Sequence, residues 1–109
     1  MNLKDWRLRL RLGKDKTRFL HYTVLLDGSV TQETSFDCPI GNAWMGIKVW
    51  ALNDNMAADI ACSIADEIGF KVKNSKHSVQ IYDTQPQQPP HDKPYGYDIN
   101  FTPYSDEEL

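Results

Sequence analysis

The chain has only two cysteines, Cys38 and Cys62, in 109 residues. Two thiols close at most one internal disulfide. With no Cys-x-x-Cys pair and no adjacent pair of histidines they build no zinc site. No uncharged run approaches the ~20 apolar residues that a membrane-spanning helix needs. The opening MNLKDWRLRLRLGKDK interrupts its leucines with arginines, so it lacks the apolar core of an export signal. These absences lead to the expectation of a cytoplasmic protein with reduced thiols, no cofactor, no bound metal and no membrane association.

Catalytic signatures are also sparse. The stretch GNAWMGIK, 41–48, superficially follows a phosphate-binding loop, but its lysine comes one residue late, no Ser or Thr follows, and the next segment reads as strand where a helix N-terminus is needed. Cys38 is a nucleophile only if His21, His77 or His91 stands beside it, and nothing in the order of residues places one there. Asp83, His91, Asp92 and Asp98 have no ligand spacing that would fix a metal geometry. No acid, base and nucleophile converge, so an enzyme is not the expected class.

What is present is ordinary globular composition, 40% hydrophobic and 25% charged, with a net charge of −3 that is unevenly spread. Residues 1–18 carry seven basic and two acidic side chains, residues 19–70 one and seven, residues 71–76 three lysines, and residues 77–109 one and six. A basic first segment on an acidic body implies a local anion-binding patch, or arginines paired with neighbouring carboxylates.

Periodicity supplies the elements. WRLRLRL, 6–12, alternates with period two and reads as a half-buried strand, with GKDK as its turn. RFLHYTVLLDG, 18–28, reads as a second strand that ends at Asp27-Gly28, a strong hairpin signal. SVTQETSF, 29–36, would then be a polar edge strand. WMGIKVWAL, 44–52, is a further strand with Met45, Ile47 and Val49 inward. The helix is the clearest element: Asn53 or Asp54 caps it, Met56, Ile60, Ile64 and Ile68 recur every four residues beside Ala57, Ala61 and Ala65, and Gly69 closes it. SVQIYDT and YGYDINFTPY are the last two strands. The second of these would have Tyr97, Ile99 and Phe101 on one face and Asp98, Asn100 and Thr102 on the other.

The expected fold is a two-layer α+β sandwich: one domain over 1–105, order β-β-β-β-α-β-β, a mixed and mostly antiparallel sheet of five or six strands, one helix at about 53–69, and an acidic tail at 106–109. The crossover at 44–84 should set its two strands parallel, and the last strand should return antiparallel.

One helix covers one side of a sheet. The other face, by parity, carries Arg7, Arg9, Arg11, His21, Thr23, Lys48, Trp50 and Tyr82, continued by Asp98, Asn100 and Thr102. Tyr95 and Tyr97 stand at the end of the proline-bearing connection, whose Pro86, Pro89, Pro90 and Pro94 favour polyproline II. Arginine, tryptophan and tyrosine together are enriched at the energetic centres of interfaces. The leading expectation is therefore a small non-enzymatic binding or adaptor protein. It would use Arg7, Arg9, Arg11, His21, Lys48, Trp50, Tyr82, Tyr95 and Tyr97 against a protein partner or a second copy of itself as a homodimer. The alternative is single-stranded nucleic acid on the same residues, and the plainest reading is a solvated face with cross-strand Arg–Asp pairs. The proline segment reads as a rigid spacer or rim; its PQQP also fits the pattern that aromatic grooves take.

Overall fold

The computed structural model describes residues 17–31 and 38–104. The expected strand at 6–12 with Arg7, Arg9 and Arg11, the turn after it, most of the expected third strand and the acidic tail lie outside the described residues.

Two long strands form the centre. Strand β1, Leu20–Val30, and strand β2, Gly41–Ala51, pair antiparallel along their whole length, from Leu20 opposite Ala51 to Val30 opposite Gly41. Tyr22, Val24, Leu26 and Val30 of β1 and Ala43, Met45, Ile47 and Val49 of β2 share one face and are buried. Helix α1, Asp54–Ile68, packs on that face through Ala57, Ala61 and Ala65 at 0% exposure, with Met56, Ile60, Ile64 and Ile68 flanking them. The methyl-sized contact row lets the helix approach the β-branched surface closely, which is where the core lies. Asn53 is the N-cap: its side-chain oxygen accepts the Met56 N–H at 2.8 Å. Gly69, at φ 85°, ends the helix in the left-handed conformation.

Three shorter strands join them in an antiparallel sheet that is five-stranded among the described residues: β3, Phe70–Val72; β4, Val79–Asp83; and β5, Tyr95–Pro103. Strands β3 and β4 lie end to end along the outer side of β1, paired with Gly28–Val30 and Tyr22–Leu26 respectively. The intervening residues 73–78 leave the ladder opposite Asp27, whose N–H and C=O are still satisfied by Ser78 and Lys73. The helix crossover does carry β2 to a strand of the same direction, β4, but β1 lies between them. Strand β5 returns antiparallel and pairs with β2. The two-layer α+β sandwich is thus present, in the order β-β-α-β-β-β among the described residues. No helix among the described residues is long and apolar enough to cross a membrane.

Two sequence expectations are corrected. Asp27-Gly28 is not a hairpin turn; β1 runs straight through it. A Cβ at Gly28 would lie 2.2 Å from the Lys71 carbonyl oxygen and 2.8 Å from the Phe70 ring, so glycine is there for close approach of β3, not for a turn. In β5 the face assignment changes part-way. Tyr97 pairs with Lys48 and Asn100 with Gly46, which leaves Asp98 and Ile99 facing the single residue Ile47. Asp98, at φ 57°, makes this a bulge. Tyr97 therefore shares a face with Asn100 and Thr102, while Ile99 and Phe101 turn toward the helix.

Candidate binding face and its proline roof

The face away from the helix is built by the alternate residues of β1 and β2, flanked by Gln80 and Tyr82 on one side and by β5 on the other. Its two ends differ. At the end near Leu20, His21 is 7% exposed, Trp50 4%, Tyr97 9% and Phe19 4%, and Phe19, Trp50 and Tyr97 form a second, smaller apolar cluster with Tyr95 against it. The His21 ring meets Trp50 edge-on with centroids 5.0 Å apart.

The cover of that end is the segment 84–94. The Trp50 indole N–H donates to the Gln88 carbonyl at 2.9 Å. The Tyr97 hydroxyl oxygen accepts the N–H groups of Gln87 at 2.9 Å and Gln88 at 3.3 Å. The Tyr95 hydroxyl donates to the Pro89 carbonyl at 2.5 Å, and His91 stacks on the Tyr95 ring at 4.1 Å. Lys48 donates to Asp98 and, at 3.4 Å, to Gln87 Oε1. Aromatic rings with a tryptophan donor and tyrosine hydroxyls are how grooves recognise extended proline segments, and here the segment is the chain's own. The expectation that this whole face stands uncovered is therefore corrected: an ordered loop with four prolines covers one end of it. Prolines remove backbone N–H groups from the loop, so Gln87 and Gln88 hold the two amide donors within 86–90, and both reach the same tyrosine.

His21 is hydrogen-bonded at both ring nitrogens. Nδ1 lies 3.0 Å from the Thr84 carbonyl oxygen and 3.1 Å from its hydroxyl; Nε2 lies 2.7 Å from the Tyr97 hydroxyl. A carbonyl only accepts, so Nδ1 carries the proton and Nε2 accepts from Tyr97. Burial lowers the imidazole's pKa, its donation to Thr84 opposes this, and the charge of Lys48 lowers it further.

Among the described residues, the other end of the face is open. A shallow trough of about 320 Å³ is lined by Leu25, Trp44, Gln80 and Thr102, and Gly46, between Leu25 and Asn100, keeps its floor low. Tyr82, 47% exposed, stands at its side and donates to Gln80 Oε1 at 2.6 Å. The far end is closed by Tyr104, which donates to Asp27 at 2.5 Å and accepts from Lys73, itself 3.6 Å from the Asp27 carboxylate.

The structure thus brings His21, Trp50, Tyr95 and Tyr97 together, with Lys48 beside them, but under the loop. Tyr82 is left outside on the same face, and Arg7, Arg9 and Arg11 lie outside the described residues. Sequence reading missed Leu25, Trp44 and Gln80 as trough residues. Trp44 shares parity with Lys48 and Trp50 and was within reach of that signal. Leu25 was hidden because β1 is apolar on both faces. In comparison with known proteins, no family model, no curated protein and no solved structure matches the chain.

Proposed function

We propose that the protein is a small non-enzymatic binding module that takes an apolar or aromatic side chain of a partner protein in the Leu25–Trp44 trough. The observation that carries this reading is the contrast, among the described residues, between the two ends of one sheet face: the aromatic end is satisfied by the chain, and the trough end leaves Leu25, Trp44 and Tyr82 uncovered. A shallow, open depression with a leucine and an indole on it suits a side chain presented by a larger partner better than an enclosed small molecule. Among the described residues, the neighbouring cations argue against phosphate as the ligand, since Lys48 is bound to Asp98 and Lys73 to Asp27 and Tyr104. A neutral partner segment is the complementary choice.

The test is selection of peptides from a displayed random library on the purified protein, followed by titration against wild type, Leu25→Glu and Thr102→Glu. Thr102 is exposed, so its variant keeps the test valid if the first fails to fold. Selected peptides should share an aromatic or aliphatic anchor and lose at least about tenfold in affinity for both folded variants. Failure to select any peptide, or equal binding by the variants, rejects the reading. A dimer in light scattering that Thr102→Glu dissolves identifies the partner as a second copy. Oligonucleotide binding that weakens with salt would put the nucleic-acid alternative in its place.

A further inference from the structure

We infer that His21 is a proton-operated latch: taking up a proton at Nε2 releases the proline segment 84–94 from the sheet and bares Trp50, Tyr95 and Tyr97. The geometry allows no other accommodation within the closed arrangement. Nδ1 already donates to the Thr84 carbonyl, and the Tyr97 hydroxyl already gives its single proton to Nε2. The phenolic oxygen is meanwhile filled by the N–H groups of Gln87 and Gln88. A proton on Nε2 sets two donors against each other. Tyr97 must then turn its O–H away, toward the space held by the two loop amides, in a site where His21 and Tyr97 are both under a tenth exposed. A buried donor left without an acceptor is costly, and the strain falls on the two amides that pin the loop.

Among the described residues, the charged and titratable groups on the elements packed around His21 do not relieve this. Lys48 on β2 opposes an imidazolium. Asp98 on β5 is engaged by Lys48, Asp83 closes β4 beside Thr84, and Arg18 precedes the cluster over the Phe19 ring. Tyr95 is held by Pro89, with its own pKa raised by burial. The loop's own titratable side chains, His91, Asp92 and Lys93, are exposed, with His91 stacked on the Tyr95 ring.

The sign follows from linkage. The closed form depresses the imidazole's pKa and the open form restores it to about 6.5, so closure is fully supported above about 6.5 and is lost as pH falls toward the closed form's lower value. Within that window the opening equilibrium rises by at most about tenfold per pH unit, the limit for one proton.

Hydrogen exchange at the Gln87 and Gln88 amides, corrected for intrinsic rates, is the measurement, taken between about pH 7.5 and 5.5. Protection of these two amides should fall as pH drops while the β1–β2 ladder amides keep theirs. His21→Gln should remove the pH dependence and His91→Gln should keep it. Tyr97→Phe, which leaves both loop amides without an acceptor, should give low protection at every pH. Flat protection in the wild type, pH dependence surviving in His21→Gln or Tyr97→Phe, or its loss in His91→Gln would overturn the latch. That the bared rings extend the docking face rests on the reading proposed above. Peptide titration at the lower pH tests that extension separately, and the exchange result stands whatever the peptides do.

Discussion

The indole of Trp50 points at the carbonyl of Gln88, 2.9 Å away, and this one bond joins the sheet to a segment 38 residues further along the chain. Trp50 is one of the residues a composition-based reading assigns to an outside partner. Its partner is internal because β2 places it, Tyr97 and His21 in neighbouring strands on one face, and four prolines hold the returning segment extended enough to lie across them. A long connection between β4 and β5 thus becomes a second small core on the side of the sheet that the helix does not reach.

Replacing Trp50 by Phe keeps an aromatic ring but leaves the Gln88 carbonyl without its donor. The loss is that of one part-buried hydrogen bond plus a small void, about 1–2 kcal/mol. Urea denaturation should show the lower midpoint with an unchanged slope. Limited proteolysis should cut first within 84–94.

Gly28→Ala tests the corrected role of the Asp-Gly pair. A methyl group there meets the backbone carbonyl of Lys71 at 2.2 Å, and a backbone atom yields less readily than a flexible side chain. Unpairing of β3 from β1 should cost more than about 2 kcal/mol. Were Asp27-Gly28 a solvent-exposed turn, alanine would cost only its backbone strain. Exchange at the Thr31 amide, which donates to Gly69 across the same junction, reports the local opening.

The contrast between the helix and the strands explains what could be read from sequence. Helix α1 is encoded locally: Asn53 caps it, isoleucines and alanines recur on one side, and Gly69 ends it, so bounds and inner face were both legible. The strands depend on neighbours that sequence does not display. Gly28 has two physical uses, turn and close approach, and only the position of β3 selects between them. The bulge at Asp98 exchanges the faces of all residues after it, and no alternation pattern announces it. The loop's destination was the least legible feature, because proline content predicts stiffness and says nothing about which surface the stiff segment lies on.

At the bulge itself, Asp98 adopts φ 57° and pairs with Lys48 on the surface. Asp98→Asn keeps a side chain tolerant of left-handed backbone and loses only an exposed ion pair, a change of about 0.5 kcal/mol or less. Asp98→Val puts a β-branched residue into that conformation and should cost about 1–2 kcal/mol more than the asparagine variant. Equal stabilities of the two variants in urea would mean that the bulge relaxes and the register of β5 shifts.

Burial also separates the two cysteines. Cys38 is 8% exposed and packed in the main core, and Cys62 sits on the flank of the helix near Asp59. Burial raises the thiol pKa of both, and the Asp59 carboxylate raises that of Cys62 further. Thiolate is the reactive form, so alkylation of the folded protein at neutral pH should be slow at both sites and slower at Cys38, where access is also closed. Mass spectrometry before and after adding denaturant checks this: both should label rapidly once unfolded, and rapid labelling of Cys38 in the folded protein would contradict its place in the core.

Ser78 provides the opposite kind of substitution, one that stabilises. Its hydroxyl is buried, the residue being 1% exposed, and has no hydrogen-bond partner among the described residues. The backbone around it is fully engaged, with its N–H on the Ser75 carbonyl and its C=O on the Asp27 N–H, so alanine preserves every bond the residue makes. Removing the unpaired hydroxyl returns its desolvation cost, about 1 kcal/mol, against a small loss of packing. Ser78→Ala should therefore raise the urea midpoint. A lowered midpoint would show that the hydroxyl has an acceptor in solution, and the excursion 73–78 would then be held by a side chain as well as by its backbone.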